Sequence, residues 1–246
     1  MNRNKQYIIS LVLLASFISI DSGYAETSTS YKIERDKYIN NSKKQKSGFS
    51  QHEMDVMARA AKDLSKGLPD PGIKVGESAP DFTLADAHGE SIHLSNELKK
   101  GPVVLVFYRG AWCPFCNMHL RALQKALPEF KKYNAQLILV TPQQPDKSLD
   151  QFKKEKVEFK VLSDLNSNVM KAYKLYYKLD KELNEVYKKH GLNVEAFNGK
   201  GRSELPVPGS FVIDKNAKII AMHADTDYMQ RMEPADIIKA LQQVKK

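Results

Sequence analysis

Apolar and polar residues along the chain follow patterns that predict strands alternating with helices. Residues 102–108 form a continuous run of mostly β-branched and aromatic side chains, which predicts a strand buried on both faces. From Pro114 onward, apolar residues recur every three or four positions, which predicts an amphipathic helix. The other predicted strands cover residues 135–141 and 159–162, the other helices 148–156, 166–173, 181–189 and 234–244, and two hairpins 82–94 and 210–222. This alternation indicates an α/β sandwich with a mixed central sheet flanked by helices.

The first 70 residues differ in composition from the remainder. Residues 26–48 are rich in Ser, Thr, Asn and Lys without a sustained period, which predicts a flexible or weakly ordered segment. Residues 51–68 have apolar positions at helical spacing, and the glycines and prolines of 67–72 end that helix. We therefore predict an N-terminal extension over 26–70 with one helix, followed by a single domain over 71–246.

The N-terminus has the organisation of a secretory signal peptide. Arg3 and Lys5 precede an apolar stretch over 8–20, and Gly23 and Ala25 are the small residues expected before a cleavage site. We predict a signal peptide over 1–25, cleavage after Ala25 and export to the periplasm. The apolar stretch is shorter than the ~20 residues of a membrane-spanning helix, so we expect no stable membrane insertion after signal removal. An uncleaved anchor is the alternative.

Composition supports a globular chain and narrows its partners. Hydrophobic residues make up 42% of the 246 residues, which is enough for a core. The formal net charge is +9, but the lysines are spread along the chain instead of forming one cluster. We therefore expect a solvated basic surface and no nucleic-acid partner.

The two cysteines form the motif Cys113-Pro114-Phe115-Cys116, where the buried strand meets the long helix. Free backbone N–H groups at a helix start favour an anion, so a thiolate there is stabilised. Pro114 suits the first helical position because its missing N–H would have no partner. We interpret the pair as redox-active, with no cofactor and no metal; a structural disulfide and a zinc site are the alternatives. His119, one turn further along, is a weaker candidate for a role at the thiols.

A second informative stretch covers residues 205–214. Pro208 precedes a strand-like run and belongs at the start or edge of a strand because it has no N–H to donate. A cis peptide bond at Pro208 would leave the backbone of Val207 free to pair with an incoming peptide. A trans turn proline is the common alternative.

These motifs together resemble the thioredoxin-like superfamily and, more narrowly, the peroxiredoxin-like branch of the alkyl hydroperoxide reductase and thiol-specific antioxidant family. The matching segments are residues 79–84, 107–110, 112–116, 162–164, 206–214, 227–228 and 231–234. The resemblance implies a thioredoxin-like sandwich of the peroxiredoxin type, with Pro208 facing the dithiol in the position of a cis-proline.

The resemblance also implies roles for the cysteines. Peroxiredoxins carry a Pro-x-x-x-Thr-x-x-Cys motif; its peroxidatic cysteine falls on Cys116, its threonine on Cys113 and its proline on Arg109. The supporting arginine of the family has no clear match, and Arg109 and Arg202 are its candidates. In thioredoxins the first cysteine of the motif is the attacking thiol and the second is the resolving thiol. By that comparison Cys113 would attack the substrate and Cys116 would resolve the resulting intermediate.

Three hypotheses of function follow. In the leading one, the chain is a thiol-dependent peroxidase that reduces hydroperoxides through a Cys113/Cys116 dithiol–disulfide cycle and is restored by an external dithiol, thioredoxin- or glutaredoxin-like. In the second, Cys113 attacks a protein disulfide substrate. In the third, the chain is a non-catalytic redox-sensing or binding module. The predicted site residues are Cys113 and Cys116, supported by Trp112, Pro114, Val207, Pro208 and Arg109.

Overall fold

A computed structural model describes residues 30–44, 48–155 and 159–244. The predicted signal peptide over 1–25 lies outside these residues. The helices are α1 (Tyr31–Lys43), α2 (Gln51–Gly67), α3 (Leu94–Lys100), α4 (Pro114–Lys131), α5 (Pro145–Glu155), α6 (Asn168–Ala172), α7 (Lys181–Lys189), α8 (Val194–Asn198) and α9 (Pro234–Val244). The strands are β1 (Thr83–Ala85), β2 (Ser91–His93), β3 (Val103–Phe107), β4 (Gln136–Thr141), β5 (Lys160–Ser163), β6 (Tyr176–Lys178), β7 (Glu204–Pro206), β8 (Gly209–Ile213) and β9 (Ile219–Ala224). Within the described ranges, no helix has both the length and the apolarity needed to cross a bilayer.

Five strands form the central sheet, in the order β5–β4–β3–β8–β9. The strands β3, β4 and β5 are parallel, whereas β8 is antiparallel to β3 and β9 is antiparallel to β8. Two antiparallel pairs, β1–β2 and β6–β7, lie outside this sheet. The predicted mixed sheet and both predicted hairpins are confirmed.

The central strand β3 is buried along its whole length. Val104 and Val106 belong to the core cluster that includes residues of α4 and α9. Leu105 and Phe107 belong to a second cluster that includes residues of α3 and α6. Because successive side chains of a strand point to opposite faces, a strand covered on both sides needs a continuous apolar run. This strand delivers its carboxyl end to the start of α4, where the cysteines lie.

The described part of the extension has two helices, α1 and α2, where the sequence predicts one, and α1 covers residues 31–43 of the segment predicted to be weakly ordered. The carboxylate of Glu233 accepts hydrogen bonds from the backbone N–H groups of Tyr31 at 3.1 Å and Lys32 at 2.7 Å. Tyr31 is 1% exposed, and its hydroxyl donates to the carbonyl of Met229 at 2.7 Å. The sequence of α1 is only weakly amphipathic, so these tertiary contacts stabilise a helix that local periodicity does not indicate.

Three further features are absent from the sequence predictions, namely α3, α8 and the β6–β7 pair. The strands β6 and β7 have three residues each, and α7 and α8 separate them along the chain. Three residues are too few to establish a period of two, and the partner strand is remote in sequence. By contrast, α7 begins and ends where its periodicity predicts.

Candidate active site

The dithiol lies at the carboxyl end of β3, in the loop that leads into α4. Pro114 is the first residue of α4, and Cys113 is its N-cap residue with an extended backbone. Gly110 has a φ of +146°, and a Cβ at this position would lie 2.6 Å from Nε1 of Trp112. Only glycine tolerates both this backbone angle and this close approach. The local sequence therefore sets the turn that places both cysteines at the start of the helix.

A buried polar network holds this loop against α4 and α5. The side chain of Gln143 accepts a hydrogen bond from the backbone N–H of Ala111 at 3.0 Å. Gln151 accepts from the hydroxyl of Tyr108 at 3.0 Å and donates to the side chain of Asn117 at 2.9 Å. No sequence motif reveals this network, because its hydrogen-bonded partners lie 32 to 43 positions apart. Buried hydrogen bonds of this kind restrict the loop to one arrangement around the thiols.

Both cysteines are free thiols, and both are buried, with exposed fractions of 1% for Cys113 and 0% for Cys116. Burial raises the pKa of Cys113 well above its ordinary value, and the hydrogen bond to Cys116 raises it further. Burial also opposes ionisation of Cys116. However, the hydrogen bond from Cys113 and the charges of Arg231 and Arg109 outweigh burial, so the pKa of Cys116 lies well below its ordinary value. The directions of these two pKa shifts favour ionisation of Cys116 over that of Cys113.

The cation that hydrogen-bonds to Cys116 is Arg231, which is 9% exposed. Its Nη2 donates to Sγ of Cys116 at 3.6 Å, and its Nη1 donates to the carbonyl of Gln230 at 2.8 Å. No local pattern in the sequence indicates a role for Arg231, which is 115 positions from Cys116. The only signal for it was the segment 231–234, which matches the family that the sequence resembles.

His119 supports the segment that carries Arg231. Its Nε2 donates to the carbonyl of Met232 at 3.0 Å, and its ring packs edge-on against Tyr31 with centroids 5.4 Å apart. Burial and the nearby charge of Arg231 lower the pKa of His119 to about 3. The ring is therefore neutral at ordinary pH and orients the Arg231 segment through its hydrogen bond.

Arg109 is a second buried cation, 2% exposed and surrounded by aromatic rings. Its guanidinium carbon lies 4.5 Å from the ring centroid of Tyr228 and 4.7 Å from that of Trp112. Its Nη2 donates to the hydroxyl of Tyr187 at 3.2 Å. Although burial opposes the charge, the neighbouring groups, Tyr177 foremost, hold the pKa of Arg109 above its ordinary value. Arg202, the other arginine considered from sequence, instead donates to a backbone carbonyl at the end of α8.

The stretch around Pro208 differs from the expectation based on resemblance. The Val207–Pro208 peptide bond is trans, which is one of the two alternatives that the sequence leaves open. The N–H of Val207 donates to the carbonyl of Leu175 at 2.7 Å and is therefore not free to pair with a peptide. Directly after Pro208, Gly209 opens β8 and pairs with Phe107 at the end of β3. This stretch therefore borders the dithiol loop as a strand start and not as an open edge.

Aromatic side chains also enclose the dithiol loop. The ring of Phe115 contacts Tyr38 of α1 and Tyr228, with centroid distances of 5.4 Å and 5.6 Å. Trp112 is half-buried, with its ring 6.2 Å from that of Tyr187. In the described part of the chain, no cluster of three His, Cys, Asp or Glu side chains is arranged to hold a metal. A large molecule would have to displace aromatic side chains to reach the sulfur atoms.

A thioredoxin-like fold with a Cys-x-x-Cys pair at the start of α4 defines a thiol oxidoreductase. The sequence model of the AhpC/TSA family matches residues 75–222, and the chain belongs to this family. Thiol-disulfide oxidoreductase ResA of Bacillus thuringiensis subsp. konkukian (strain 97-27) is 24% identical over 149 residues, which cover 60% of this chain and 68% of that protein. Chloroplastic peroxiredoxin Q of Oryza sativa subsp. japonica is 29% identical over 147 residues, which cover 60% of this chain and 57% of that protein.

Solved structures agree with the fold that the sequence predicts. Peroxidoxin BcpB of Mycobacterium tuberculosis superposes with a TM-score of 0.55 at 22% identity, over 71% of this chain and 99% of that chain. The predictions of a thioredoxin-like, peroxiredoxin-type fold and of an oxidoreductase are confirmed. Because the relatives include both peroxiredoxins and thiol–disulfide oxidoreductases, the choice between these activities rests on the geometry of the dithiol.

Proposed function

We propose that this protein is a thiol-dependent peroxidase in which Cys116 attacks the hydroperoxide and Cys113 resolves the product. The observation that carries the proposal is the environment of Cys116, a buried sulfur that accepts a hydrogen bond from Nη2 of Arg231 at 3.6 Å. Its pKa is lowered, despite burial, by its interaction with Cys113 and by the charges of Arg231 and Arg109. The thiolate is the nucleophilic form of cysteine. A compact hydroperoxide also suits a pair of thiols that are at most 1% exposed.

The proposed reaction has three steps. The thiolate of Cys116 attacks one oxygen of the hydroperoxide; the S–O bond forms as the O–O bond breaks, and the leaving oxygen takes up a proton to give an alcohol or water. Arg231 and Arg109 would stabilise the charge that develops on that oxygen. The sulfur of Cys113 then attacks the sulfenic acid, so that an S–S bond forms and water leaves with the Cys113 proton. An external dithiol, thioredoxin- or glutaredoxin-like, reduces this disulfide by exchange and is itself oxidised.

A single-turnover experiment tests this assignment on the reduced protein without added reductant. We expect the wild type to consume one equivalent of hydroperoxide and to lose both thiols. Cys116→Ser should consume none, whereas Cys113→Ser should consume one equivalent and accumulate a sulfenic acid that reacts with dimedone. A wild type that consumes no hydroperoxide would contradict the proposal, and activity in Cys116→Ser but not in Cys113→Ser would reverse the two roles.

A second candidate is a protein thiol–disulfide oxidoreductase, which the relatives named ResA favour. In that reaction Cys113 would attack a disulfide of another protein, and the aromatic cover around Phe115 would have to open first. The Cys116→Ser variant separates the two candidates, because it would retain mixed disulfides between Cys113 and its substrates. Such adducts without peroxide consumption by the wild type would favour the second candidate, and neither activity would favour a redox-sensing module.

We also propose that the protein is exported to the periplasm after removal of residues 1–25. The basic residues Arg3 and Lys5, the apolar stretch over 8–20 and the small residue Ala25 support this proposal. The test is N-terminal sequencing of the protein recovered from fractionated cells. Glu26 as the first residue of a periplasmic form would support export, and an intact N-terminus in the cytoplasmic fraction would contradict it.

A further inference from the structure

A cavity of about 430 Å³ lies between α2 and the segment formed by β6 and α7, with Arg109 in its lining. This volume is within the range of pockets that hold small organic ligands. The helix α2 precedes residues 75–222, which match the family model. One side of the cavity is therefore built by a part of this chain outside the matched domain.

The charge of Arg109 is not neutralised by a carboxylate. Among the described residues, no carboxylate oxygen lies within 4 Å of the guanidinium of Arg109 or of Arg231, and Nε of Arg109 is buried without a hydrogen-bond partner. The guanidinium of Arg231 hydrogen-bonds to Cys116, whereas that of Arg109 hydrogen-bonds to the neutral hydroxyl of Tyr187 and lies against the rings of Trp112 and Tyr228. A buried charge is costly unless it is paired, so this part of the cavity favours an anion.

The remaining lining favours an apolar molecule with one negative charge. The ionisable groups other than tyrosine are Arg59, Arg109, Lys178, Asp63 and Asp180, which together carry one net positive charge. Arg59 already forms a salt bridge with Glu182 outside this lining, so Arg109 is the buried cation available to a ligand. The apolar and aromatic lining includes Ala60, Leu64, Leu179, Leu183, Tyr177 and Tyr228.

We propose that this cavity binds an organic monoanion with a flat apolar body, such as an aromatic carboxylate. The charged group of the ligand lies against Arg109, and its body packs between α2 and α7 among the apolar side chains. The two carboxylates in the lining, Asp63 and Asp180, would repel a second negative charge. This site goes beyond the proposed peroxidase activity, because it binds a molecule that is not oxidised or reduced.

Calorimetric titration of the reduced protein with two matched probes tests the proposal. The probes are 2-naphthoate and 2-naphthalenemethanol, which share one ring system and differ in charge. We expect the carboxylate to bind at least about tenfold more tightly than the alcohol, because only the carboxylate pairs with Arg109. Because no peroxide is present, the result is independent of whether the protein reduces hydroperoxides.

Three variants locate the binding site. In Arg109→Gln the affinity for 2-naphthoate should fall by about tenfold or more, to the level of the alcohol. In Ala60→Phe the new ring fills the cavity, and both probes should bind at least about tenfold more weakly. Ala58→Phe is the matched control, because Ala58 lies on the same helix but is exposed and outside the lining; its affinities should equal those of the wild type.

Thermal unfolding of each variant establishes that it is folded before titration. Since Ala60→Phe leaves Arg109 and the dithiol loop intact, it keeps the test decisive even if Arg109→Gln fails to fold. Equal affinities of the wild type for both probes, no binding of 2-naphthoate, or unchanged binding in Ala60→Phe would each overturn the proposal.

Discussion

Two arginines from separate parts of the fold act on one sulfur atom. Arg109 follows β3, and Arg231 precedes α9. Burial alone would keep Cys116 protonated, so the hydrogen bond from Cys113 and the two positive charges must together exceed the cost of desolvation. The lowered pKa of Cys116 therefore depends on side chains that the tertiary structure brings together.

Replacing Arg231 should make Cys116 less reactive at mildly acidic pH. In Arg231→Gln the loss of the nearby positive charge raises the pKa of Cys116 from its value of about 5. We therefore expect alkylation of Cys116 by iodoacetamide to slow by about fivefold at pH 5 and to change little at pH 7, where the thiol stays mostly ionised in both proteins. The rate of alkylation across a pH series, with Cys116 located by mass spectrometry, measures this change. Arg231→Lys is the control: it retains the positive charge, so its rate of alkylation should fall less than that of Arg231→Gln. A pH profile of alkylation in Arg231→Gln identical to that of the wild type would contradict the role of Arg231.

The sequence predicts the thiol chemistry of the site better than the roles within it. The start of α4 predicts a stabilised thiolate, but either Cys113 or Cys116 fits that argument. One contact that distinguishes the two thiols is the hydrogen bond from Arg231 to Cys116, and Arg231 lies 115 positions away from Cys116. Likewise, the backbone pairing of Val207 with Leu175 follows from a sheet contact that no local pattern specifies.

At the level of helices and strands, α1 is stabilised mainly by what it contacts. Tyr31 inserts into the core beside His119, and Glu34 forms a salt bridge with Arg121 of α4. The carboxylate of Glu233 binds two N–H groups in the first turn of α1, where the positive end of the helix dipole favours an anion. Because Tyr38 of the same helix contacts Phe115, the placement of α1 also affects the cover over the dithiol.

Truncation of Glu233 should loosen α1 from the domain. In Glu233→Ala two N–H groups lose their acceptor, so we expect destabilisation of about 1–2 kcal/mol and faster hydrogen exchange of the backbone amides of α1. Hydrogen exchange of peptides that cover Tyr31–Lys43, measured by mass spectrometry, reports this loosening of α1. Glu129→Ala is the control: within the described ranges the carboxylate of Glu129 forms a salt bridge with Lys132, one turn away, and its loss should change the free energy of unfolding by less than about 0.5 kcal/mol. Unaltered exchange of α1 in Glu233→Ala would contradict the capping role.

Long periodic elements are predictable from this sequence, and short or poorly patterned ones are not. The helices α4, α7 and α9 have clear amphipathic periods, and each begins where that period predicts. The helix α1 lacks such a period, and its stability comes from contacts with residues about 200 positions away. The strands β6 and β7 are recognisable only as partners of each other.

The state of the dithiol and the stability of the whole molecule are linked through Cys116. Because folding lowers the pKa of this thiol, the stabilisation is complete above the ordinary thiol pKa and is lost as the pH falls through the lowered value. A disulfide form has no such titrating group. The reduced form therefore gains stability relative to the disulfide form as the pH rises from the lowered pKa of Cys116 to the ordinary pKa of a thiol. As a result, the disulfide is more oxidising than the disulfide of a dithiol with ordinary pKa values.

His119 links folding to pH in an acidic range and provides a test of its buried, neutral state. Its pKa is about 3 in the folded protein and 6.5 for the free side chain, so its stabilising contribution is present above pH 6.5 and is lost as the pH falls towards 3. At pH 5 the unfolded chain binds a proton that the folded chain excludes, which should cost about 2 kcal/mol relative to pH 7.5. His119→Gln retains a donor for the Met232 carbonyl but does not titrate. Urea unfolding of both reduced proteins at pH 7.5 and pH 5 should therefore show a loss about 2 kcal/mol larger for the wild type, because contributions from the other groups, including Cys116, are common to both. Equal losses in the two proteins would mean that the buried ring accepts a proton as readily as a solvated one.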